Sequence, residues 1–268
     1  MRILYAAAPE WERLSERIAS LIEDAGFESR KMTTRVRAGF LSHEGREVFV
    51  KRVAAGGSFK GILARVFGSR GWRAWRGAEF LAAARIAHPR PLLIAEERRA
   101  GAIRASYIAT EPLRAARVFS QFALGRSRSA AFRRTLSKQV AGEVRRLHDA
   151  GIYTRDLQET NLMLEERDGE LIVWFVDFED FRRARQVSPE RRMLNLVHLD
   201  RSIGRFASRA KRLRFFYDYF GGRPARAEAR RLLREYFVLR ARVGGRARRK
   251  LPTQASPAVQ RSAAARGN

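Results

Sequence analysis

The sequence predicts an α+β protein with two lobes, the first rich in strands and the second mainly helical. Two patterns support this. Residues 33–53, TTRVRAGFLSHEGREVFVKRV, have the composition of two strands joined by a turn at 43–45, which is typical of a β-hairpin. Residues 129–150 instead repeat apolar side chains every three to four positions, as an amphipathic helix does. The boundary between the lobes is expected near residues 112–118.

The other predicted elements follow the same division. Residues 1–30 are expected to form an acidic N-terminal helix, residues 31–112 the N-lobe, and residues 113–243 the C-lobe. Residues 244–268 are basic, contain little that could be buried, and are expected to be disordered. Within the lobes, the predicted helices and strands lie at 9–26, 69–88, about 92–97, 104–113, 171–176, from 189 onward, 204–221 and 226–243.

Composition limits the chemistry that is available. The chain has 268 residues, long enough for a sizeable core, and contains no cysteine. Its four histidines lack metal-ligand spacing, so any metal is expected to be held by oxygen ligands. No run of about 18 uncharged apolar residues occurs, and the N-terminus lacks the pattern of a signal peptide. We therefore expect a soluble or peripheral protein.

The net charge of +27 has two explanations. Of the 55 basic residues, 49 are arginine and 6 are lysine, a bias that a GC-rich genome would produce by drift. A field of this size also attracts anions such as nucleic acid, lipid headgroups or phosphorylated sugars. Composition alone decides neither between these two explanations nor among the three kinds of anion.

Lys51 and Glu79 are candidates for a functional ion pair. Lys51 lies near the end of the hairpin with apolar neighbours on its own face, so it either protects an edge strand or points into a cleft. Glu79 shares a helical stripe with Trp72 and Trp75. A carboxylate on a buried stripe needs a cationic partner, whereas one at the stripe's exposed edge does not.

Three further polar residues follow in a fixed order. The connector YTRDLQETNLML, residues 153–164, places Asp156 and Asn161 five positions apart between a helix and a strand. Asp177 then follows the continuous apolar run at 171–176. Phosphoryl transfer needs oxygen ligands for Mg²⁺, a carboxylate beside the attacking hydroxyl and a cation on the phosphates. These residue types match those needs.

This order resembles the protein-kinase-like fold, and TRDLQETN aligns without gaps with the catalytic-loop motif of kinases. The resemblance implies that Lys51, paired with Glu79, holds the α- and β-phosphates of ATP. It further implies that Asp156 orients the acceptor hydroxyl, while Asn161 and Asp177 hold Mg²⁺.

Two further residues are assigned to the nucleotide by the same resemblance. Backbone amides near Gly39, in a hairpin without the full glycine-rich motif, are expected to contact the phosphates, and Glu111 is expected to lie at the nucleotide near the lobe boundary.

Within this superfamily, EVRRLHDAGIYTRDLQETNLML and VDFEDFRRAR look most like the bacterial lipopolysaccharide core kinases, which act on 3-deoxy-manno-octulosonic acid (Kdo) or heptose. The resemblance covers about residues 35–220. It implies an ATP- and Mg²⁺-dependent enzyme that phosphorylates a sugar hydroxyl of the lipopolysaccharide inner core. It also implies a peripheral position on the anionic cytoplasmic face of the inner membrane.

The sequence departs from the motifs at two further positions. Thr154 stands where a histidine is usual, and Glu179 replaces the glycine of D-F-G, either near the metal or as part of a segment that does not switch. His148 is expected to pack behind the loop. Asp200 either anchors the loop or pairs with a nearby arginine.

Other functions remain open at this point. Ten residues, 178–187, separate Asp177 from the next helix, too few for the long activation segment of a regulated protein kinase. An atypical serine/threonine kinase or small-molecule phosphotransferase of the same fold, a pseudokinase, and a basic nucleic-acid-binding protein are the alternatives. Nucleic acid is disfavoured because no recognition motif is present and the polar constellation would be unexplained.

Overall fold

The computed structural model describes residues 1–55, 68–124, 129–154, 157–204 and 206–250, excepting the side chains of residues 124 and 245–250. The first part contains β1 (Arg2–Ala6), α1 (Pro9–Leu21), β2 (Glu28–Met32), β3 (Val36–His43), β4 (Arg46–Ala54), α2 (Arg70–Ala83), β5 (Pro91–Arg99) and β6 (Ala102–Thr110). The second contains β7 (Arg117–Val118), α3 (Phe119–Leu124), α4 (Ala130–Asp149), β8 (Ile152–Thr154), β9 (Leu162–Arg167), β10 (Glu170–Phe175), β11 (Phe181–Arg183), α5 (Pro189–Ile203), α6 (Arg209–Tyr219) and α7 (Arg226–Lys250). The predicted α+β fold with a strand-rich first lobe is confirmed.

The N-lobe is built on an antiparallel sheet with the strand order β1-β5-β6-β4-β3-β2. Helix α1 covers one face of this sheet and buries Trp11, Leu14 and Ile18 against it. Helix α2 packs on the other face, where Ala78 and Leu81 join a core shared with the C-lobe. The predicted hairpin is β3 and β4, and β4 lies inside the sheet, so Lys51 is not on an edge strand.

Residues 1–30 do not form a unit of their own, contrary to the predicted division. Strand β1 pairs with β5 and β2 pairs with β3, so both belong to the N-lobe sheet. Strand β2 is exposed at every position, because it is an edge strand made mostly of polar residues. It therefore lacks the alternation by which a strand is recognised in a sequence.

The C-lobe surrounds α4, whose apolar positions Leu136, Val140, Val144 and Leu147 are all buried. Strand β10 pairs only with β9 among the described residues and is partly exposed, rather than fully buried as its apolar sequence suggested. Strand β11 pairs antiparallel with β8, so the segment after Asp177 is attached to the strand that leads into the catalytic-loop sequence.

The predicted C-terminal tail is partly helical, since α7 continues to Lys250. Its remaining residues, 251–268, lie outside the described part of the chain. No helix in the described ranges is long and apolar enough to cross a membrane.

Candidate active site

A cleft of about 310 Å³ lies between the two lobes, a volume suited to a small-molecule ligand. Its walls are mostly apolar, with Ala38 and Ile108 contributed by the N-lobe sheet and Met163 and Val176 by the C-lobe. The polar side chains that face it are Lys31, Lys51, Thr110, Glu111, Thr160, Asn161, Asp177 and Glu179, together with Arg30. A mostly apolar slot that also contains a cluster of charged groups, Lys51, Asp177 and Glu179, suits a flat base bearing phosphates.

Lys51 is the centre of the cluster of charged groups in the cleft. Its ammonium donates hydrogen bonds to Asp177 and to Oε1 of Glu179, the latter at 2.9 Å, and its side chain is 18% exposed. Burial on its own would lower the pKa of Lys51, but the carboxylates of Glu179 and Asp177 outweigh it and the pKa is raised. The lysine is therefore a fixed cation at neutral pH.

Asn161 and Asp177 line the same cleft from adjacent chain segments. The carbonyl of Asn161, at the end of a 3₁₀ turn (Glu159–Asn161), accepts a hydrogen bond of 3.0 Å from the Val176 amide, which ties the loop to the residue before Asp177. Asp177 adopts a left-handed backbone conformation with φ 61°, which costs a non-glycine residue about 1 kcal/mol or more. The strained turn directs its carboxylate toward Lys51.

Glu179 is the buried acid of the site. It follows Phe178 in a 3₁₀ turn (Phe178–Asp180), its side chain is 6% exposed, and Arg70 approaches the same Oε1 at 3.5 Å. Burial raises the pKa of the Glu179 carboxyl, and the charge of Lys51 opposes that shift. Its Oε2 is buried without a hydrogen bond to any described group. Glu179 therefore lines the same cleft as Asn161 and Asp177, the two residues predicted to hold Mg²⁺.

The predicted pair between Lys51 and Glu79 is wrong. Glu79 is exposed, and the carboxylates that contact Lys51 are Asp177 and Glu179. The predicted stripe of Trp72, Trp75 and Glu79 is not the buried face of α2. That face consists of Gly71, Ala74, Gly77, Ala78 and Leu81. These small residues carry little hydrophobic signal, whereas Trp72, which dominates the apolar pattern, is 41% exposed.

Gly39 itself does not face the cleft, so any contact with the phosphates stays a prediction for its neighbours. Gly39 is buried in the sheet, where a Cβ atom would lie 2.2 Å from the carbonyl oxygen of Glu28 on β2. The glycine is thus needed for the close approach of β2 and β3, and it does not line the cleft, although Ala38 and Phe40 beside it do. Glu111 does line the cleft, and its carboxylate pairs with Arg90 at 2.8 Å.

Asp156 lies outside the described residues, as does its neighbour Arg155. The role of Asp156 therefore stays a prediction from the motif.

A buried polar network supports the strand before Asp156. Asn195 of α5, 2% exposed, donates to the carbonyl of Thr154 at 2.6 Å and accepts from the Thr154 amide at 3.3 Å. Its Oδ1 also accepts from Nε2 of His148 at 3.0 Å, while Tyr219 donates to Nδ1 at 2.8 Å. Nearby, Ser202 of α5 accepts from the backbone amide of Glu159 at 2.9 Å.

The role of Asn195 in holding the Thr154 backbone is not predicted from the sequence. A polar residue inside an amphipathic helix gives no sign of its partners, because these come from distant segments. The expected structural role of His148 behind the loop agrees with its contacts. Asp200 pairs with Arg212 at 3.1 Å and accepts from Tyr236, which supports the interpretation as an ion-paired acid.

Comparison with known proteins agrees with this geometry. The sequence model of the lipopolysaccharide kinase (Kdo/WaaP) family matches residues 23–219. This chain belongs to that family. A search of curated protein sequences found no match.

Among solved structures, this chain is similar to "WaaP in complex with acyl carrier protein", with a TM-score of 0.65 and 21% sequence identity. The alignment covers 93% of this chain and 99% of that one. At this identity the likeness shows the fold, which is therefore that of a lipopolysaccharide kinase over most of the chain.

Kinases use ATP, and the cleft residues of this member of the lipopolysaccharide kinase family fit a nucleotide with Mg²⁺. Mg²⁺ prefers oxygen donors, needs few of them from the protein and keeps several waters. Asn161 and Asp177 offer such donors within the cleft, and the free Oε2 of Glu179 is an additional buried acceptor. Within the described ranges, no group of three or more His, Cys, Asp or Glu side chains forms a metal site by itself.

Proposed function

We propose that this protein transfers the γ-phosphate of ATP to a hydroxyl of a lipopolysaccharide inner-core sugar, Kdo or heptose. The observation that carries the proposal is the meeting of Lys51, Asn161 and Asp177 in one interlobe cleft, in a chain of the lipopolysaccharide kinase family.

Each of these side chains has a task in that reaction. Lys51 binds the phosphates of the nucleotide as a fixed cation, and Asn161 and Asp177 hold Mg²⁺, which when bound neutralises charge on the transferring group. Glu111 borders the nucleotide at the connection between the lobes. Asp156 accepts the proton of the attacking sugar hydroxyl.

The segment after Asp177 favours a small acceptor over a peptide. Residues 178–188 are all described, and the 3₁₀ turn, β11 and a short connection to α5 take up the whole length. Strand β11 is paired with β8, so this segment offers no extended platform for a protein substrate. A sugar that carries carboxylate or phosphate groups would also be attracted by the net charge of +27.

We also propose that the protein works at the cytoplasmic face of the inner membrane as a peripheral protein. Helix α6 exposes Lys211, Leu213 and Arg214, which combine cationic and apolar character. Arg212 of the same helix pairs with Asp200 and is not available to lipids.

An acyl carrier protein is a second candidate partner. The structurally similar WaaP was solved in complex with one, and the fold match spans nearly the whole of both chains. Co-purification of a tagged acyl carrier protein with this protein, against a tag-only control, tests this; no enrichment over the control contradicts it.

The reaction itself is tested by transfer of labelled γ-phosphate from Mg·ATP to inner-core lipopolysaccharide from a strain lacking this gene. We expect label in the core sugars with the wild type, and a loss of at least about a thousandfold with Asp156→Asn, because a catalytic carboxylate is removed. Glu79→Gln is the matched control, since this exposed acid lies outside the cleft and its variant should keep normal activity.

The negative outcomes are separable. A folded protein that binds Mg·ATP but labels no core sugar contradicts the acceptor and redirects the search to other hydroxyl compounds. A folded protein that does not bind Mg·ATP contradicts the kinase activity and favours a pseudokinase or a basic nucleic-acid-binding protein.

A further inference from the structure

Lys51 needs an anionic partner that remains in place when the nucleotide binds. Of its two carboxylate contacts, Asp177 is the more exposed, at 41%, and is committed to Mg²⁺ in the proposed function. A lysine that must reach phosphates while Asp177 holds a metal therefore requires a second carboxylate for its orientation.

Helix α2 cannot supply this carboxylate. The residue of its buried face that borders the cleft is Ala74, which is fully buried and has no polar group. The acid of the helix, Glu79, is exposed on a different face. The helix thus brings a small apolar residue, Ala74, and the cation of Arg70 toward the site, but no carboxylate.

Glu179 fills this position from the opposite wall. Its Oε1 lies 2.9 Å from the Lys51 ammonium, and its side chain is 6% exposed. In a buried ion pair each charge stabilises the other, because removal of one partner leaves the other buried without a compensating charge.

The backbone that carries Glu179 is held by α2 itself. A Cβ atom on Gly77 would lie 2.0 Å from the carbonyl oxygen of Phe178, so the helix touches the main chain at the residue before Glu179. Arg70, at the start of the same helix, approaches Oε1 at 3.5 Å. Helix α2 therefore fixes Glu179 by contact, although it contributes no carboxylate.

We propose that Glu179 is a positioning residue that holds the Lys51 ammonium toward the phosphates of ATP, in the role first assigned to Glu79. The inference rests on the proposed function and deepens it. Compared with the kinase-like pattern, the carboxylate that pairs with the lysine comes from the segment after Asp177 and not from the helix.

The test compares the affinities of the full-length protein for Mg·ATP and for adenosine by calorimetry. For Glu179→Gln we expect Mg·ATP to bind on the order of tenfold more weakly or worse, with adenosine binding unchanged, because Lys51 contacts only the phosphates. In steady-state assays, KM for ATP should rise. Glu79→Gln, which removes an exposed acid, should leave both affinities as in the wild type.

Glu179→Asp keeps the charge but withdraws it by one methylene, and should lie between the wild type and Glu179→Gln in Mg·ATP affinity. If Glu179→Gln does not fold, Glu179→Asp decides the question by the same contrast between Mg·ATP and adenosine. A Glu179 variant with wild-type Mg·ATP affinity overturns the inference, as does an equal loss of Mg·ATP and adenosine binding, which would indicate general damage to the cleft.

Failure of the proposed function is distinguishable from failure of this inference. A wild-type protein that does not bind Mg·ATP overturns both. A wild type that binds Mg·ATP and labels core sugars, with Glu79→Gln impaired and Glu179→Gln normal, overturns only the role of Glu179.

Discussion

His148 shows how one residue stabilises the active-site loop from behind. It is fully buried, and both ring nitrogens have neutral partners, Asn195 and Tyr219. The contacts assign the proton to Nε2, which donates to Asn195, and leave Nδ1 as the acceptor for Tyr219. Burial lowers the pKa of His148 to about 4, so the imidazole is neutral at physiological pH.

This depressed pKa predicts a loss of stability in acid. Unfolded His148 takes up a proton below about pH 6.5, whereas the folded residue resists protonation until about pH 4, so its contribution is complete above pH 6.5 and falls between those values. The loss reaches roughly 3 kcal/mol at the acid end. We expect His148→Gln to be less stable than the wild type at pH 7.5 but to lose less between pH 6.5 and pH 4.5.

Urea denaturation of both proteins across this range measures the difference. The comparison of slopes isolates His148 from the surface carboxylates, which titrate in both proteins. Parallel pH dependence in the two proteins would show that His148 does not carry the effect.

At the scale of elements, the contact between α2 and the segment after Asp177 depends on glycine. Ser69 caps α2 by accepting from the Trp72 amide at 2.9 Å, and the buried face of the helix is small enough to lie against the Phe178 main chain. Because the following turn carries Glu179, the fit of this helix determines the geometry at Lys51.

Gly77→Ala is therefore expected to be destabilising by about 1–3 kcal/mol, since its Cβ would collide with a backbone carbonyl that has no rotamer to escape to. Gly142→Ala is the matched control, because Gly142 lies exposed on α4 with nothing within 4 Å of the new Cβ. That control should stabilise the protein by roughly 0.5–1 kcal/mol. Thermal unfolding of the two variants gives the comparison, and equal shifts would contradict the close contact at residue 77.

The elements differ in how far the sequence predicts them. Helix α5 begins at Pro189, where the sequence predicts a helix to start. Such a start can be predicted because the Ser188 cap and the first-turn proline are local chemistry. The same holds for the polar residues that a motif places in order along the chain, since Lys51, Asn161 and Asp177 do meet in one cleft.

The features that escape prediction depend on tertiary contacts. The buried side of α2 is set by which residues fit against Phe178, and hydrophobic periodicity favours the large tryptophans over glycine and alanine. The position of Gly39 in the hairpin suggests a phosphate contact, whereas the structure shows that a glycine is needed there because β2 packs closely against it. Asn195 finds its partners in Thr154 and His148, more than forty positions away.

For the whole molecule, the main property is the excess of 55 basic over 28 acidic residues. Part of this charge is used within the fold, as in the pairs of Arg114 with Glu28 and Glu47 and of Arg212 with Asp200. The exposed Lys211 and Arg214 of α6 form no ion pair with any residue in the described ranges, and they lie beside the exposed Leu213.

The membrane proposal predicts that charge reversal on the exposed surface of α6 weakens membrane binding more than charge reversal elsewhere on the protein. Reversal of Lys211 and Arg214 to glutamate should reduce binding to vesicles containing anionic lipid by about tenfold or more, given about 1 kcal/mol for each well-placed cation. The same reversal at Arg99 and Arg104, exposed on β5 and β6 of the N-lobe, is the control and should have a smaller effect. Co-sedimentation at several salt concentrations measures both, and equal losses would contradict a local docking surface.

The contact of Gly77 with Phe178 also bears on how the cleft can open. The two lobes are joined by the chain at residues 111–116 and touch again where α2 meets the turn after Asp177. The segment after α2 is tied to the C-lobe as well, because the Phe175 amide donates to the Ala87 carbonyl at 2.9 Å and Arg146 donates to the Arg85 carbonyl at 2.7 Å. Helix α2 is thus anchored to the C-lobe along its length, so a movement of the whole N-lobe that widens the cleft would have to break these contacts.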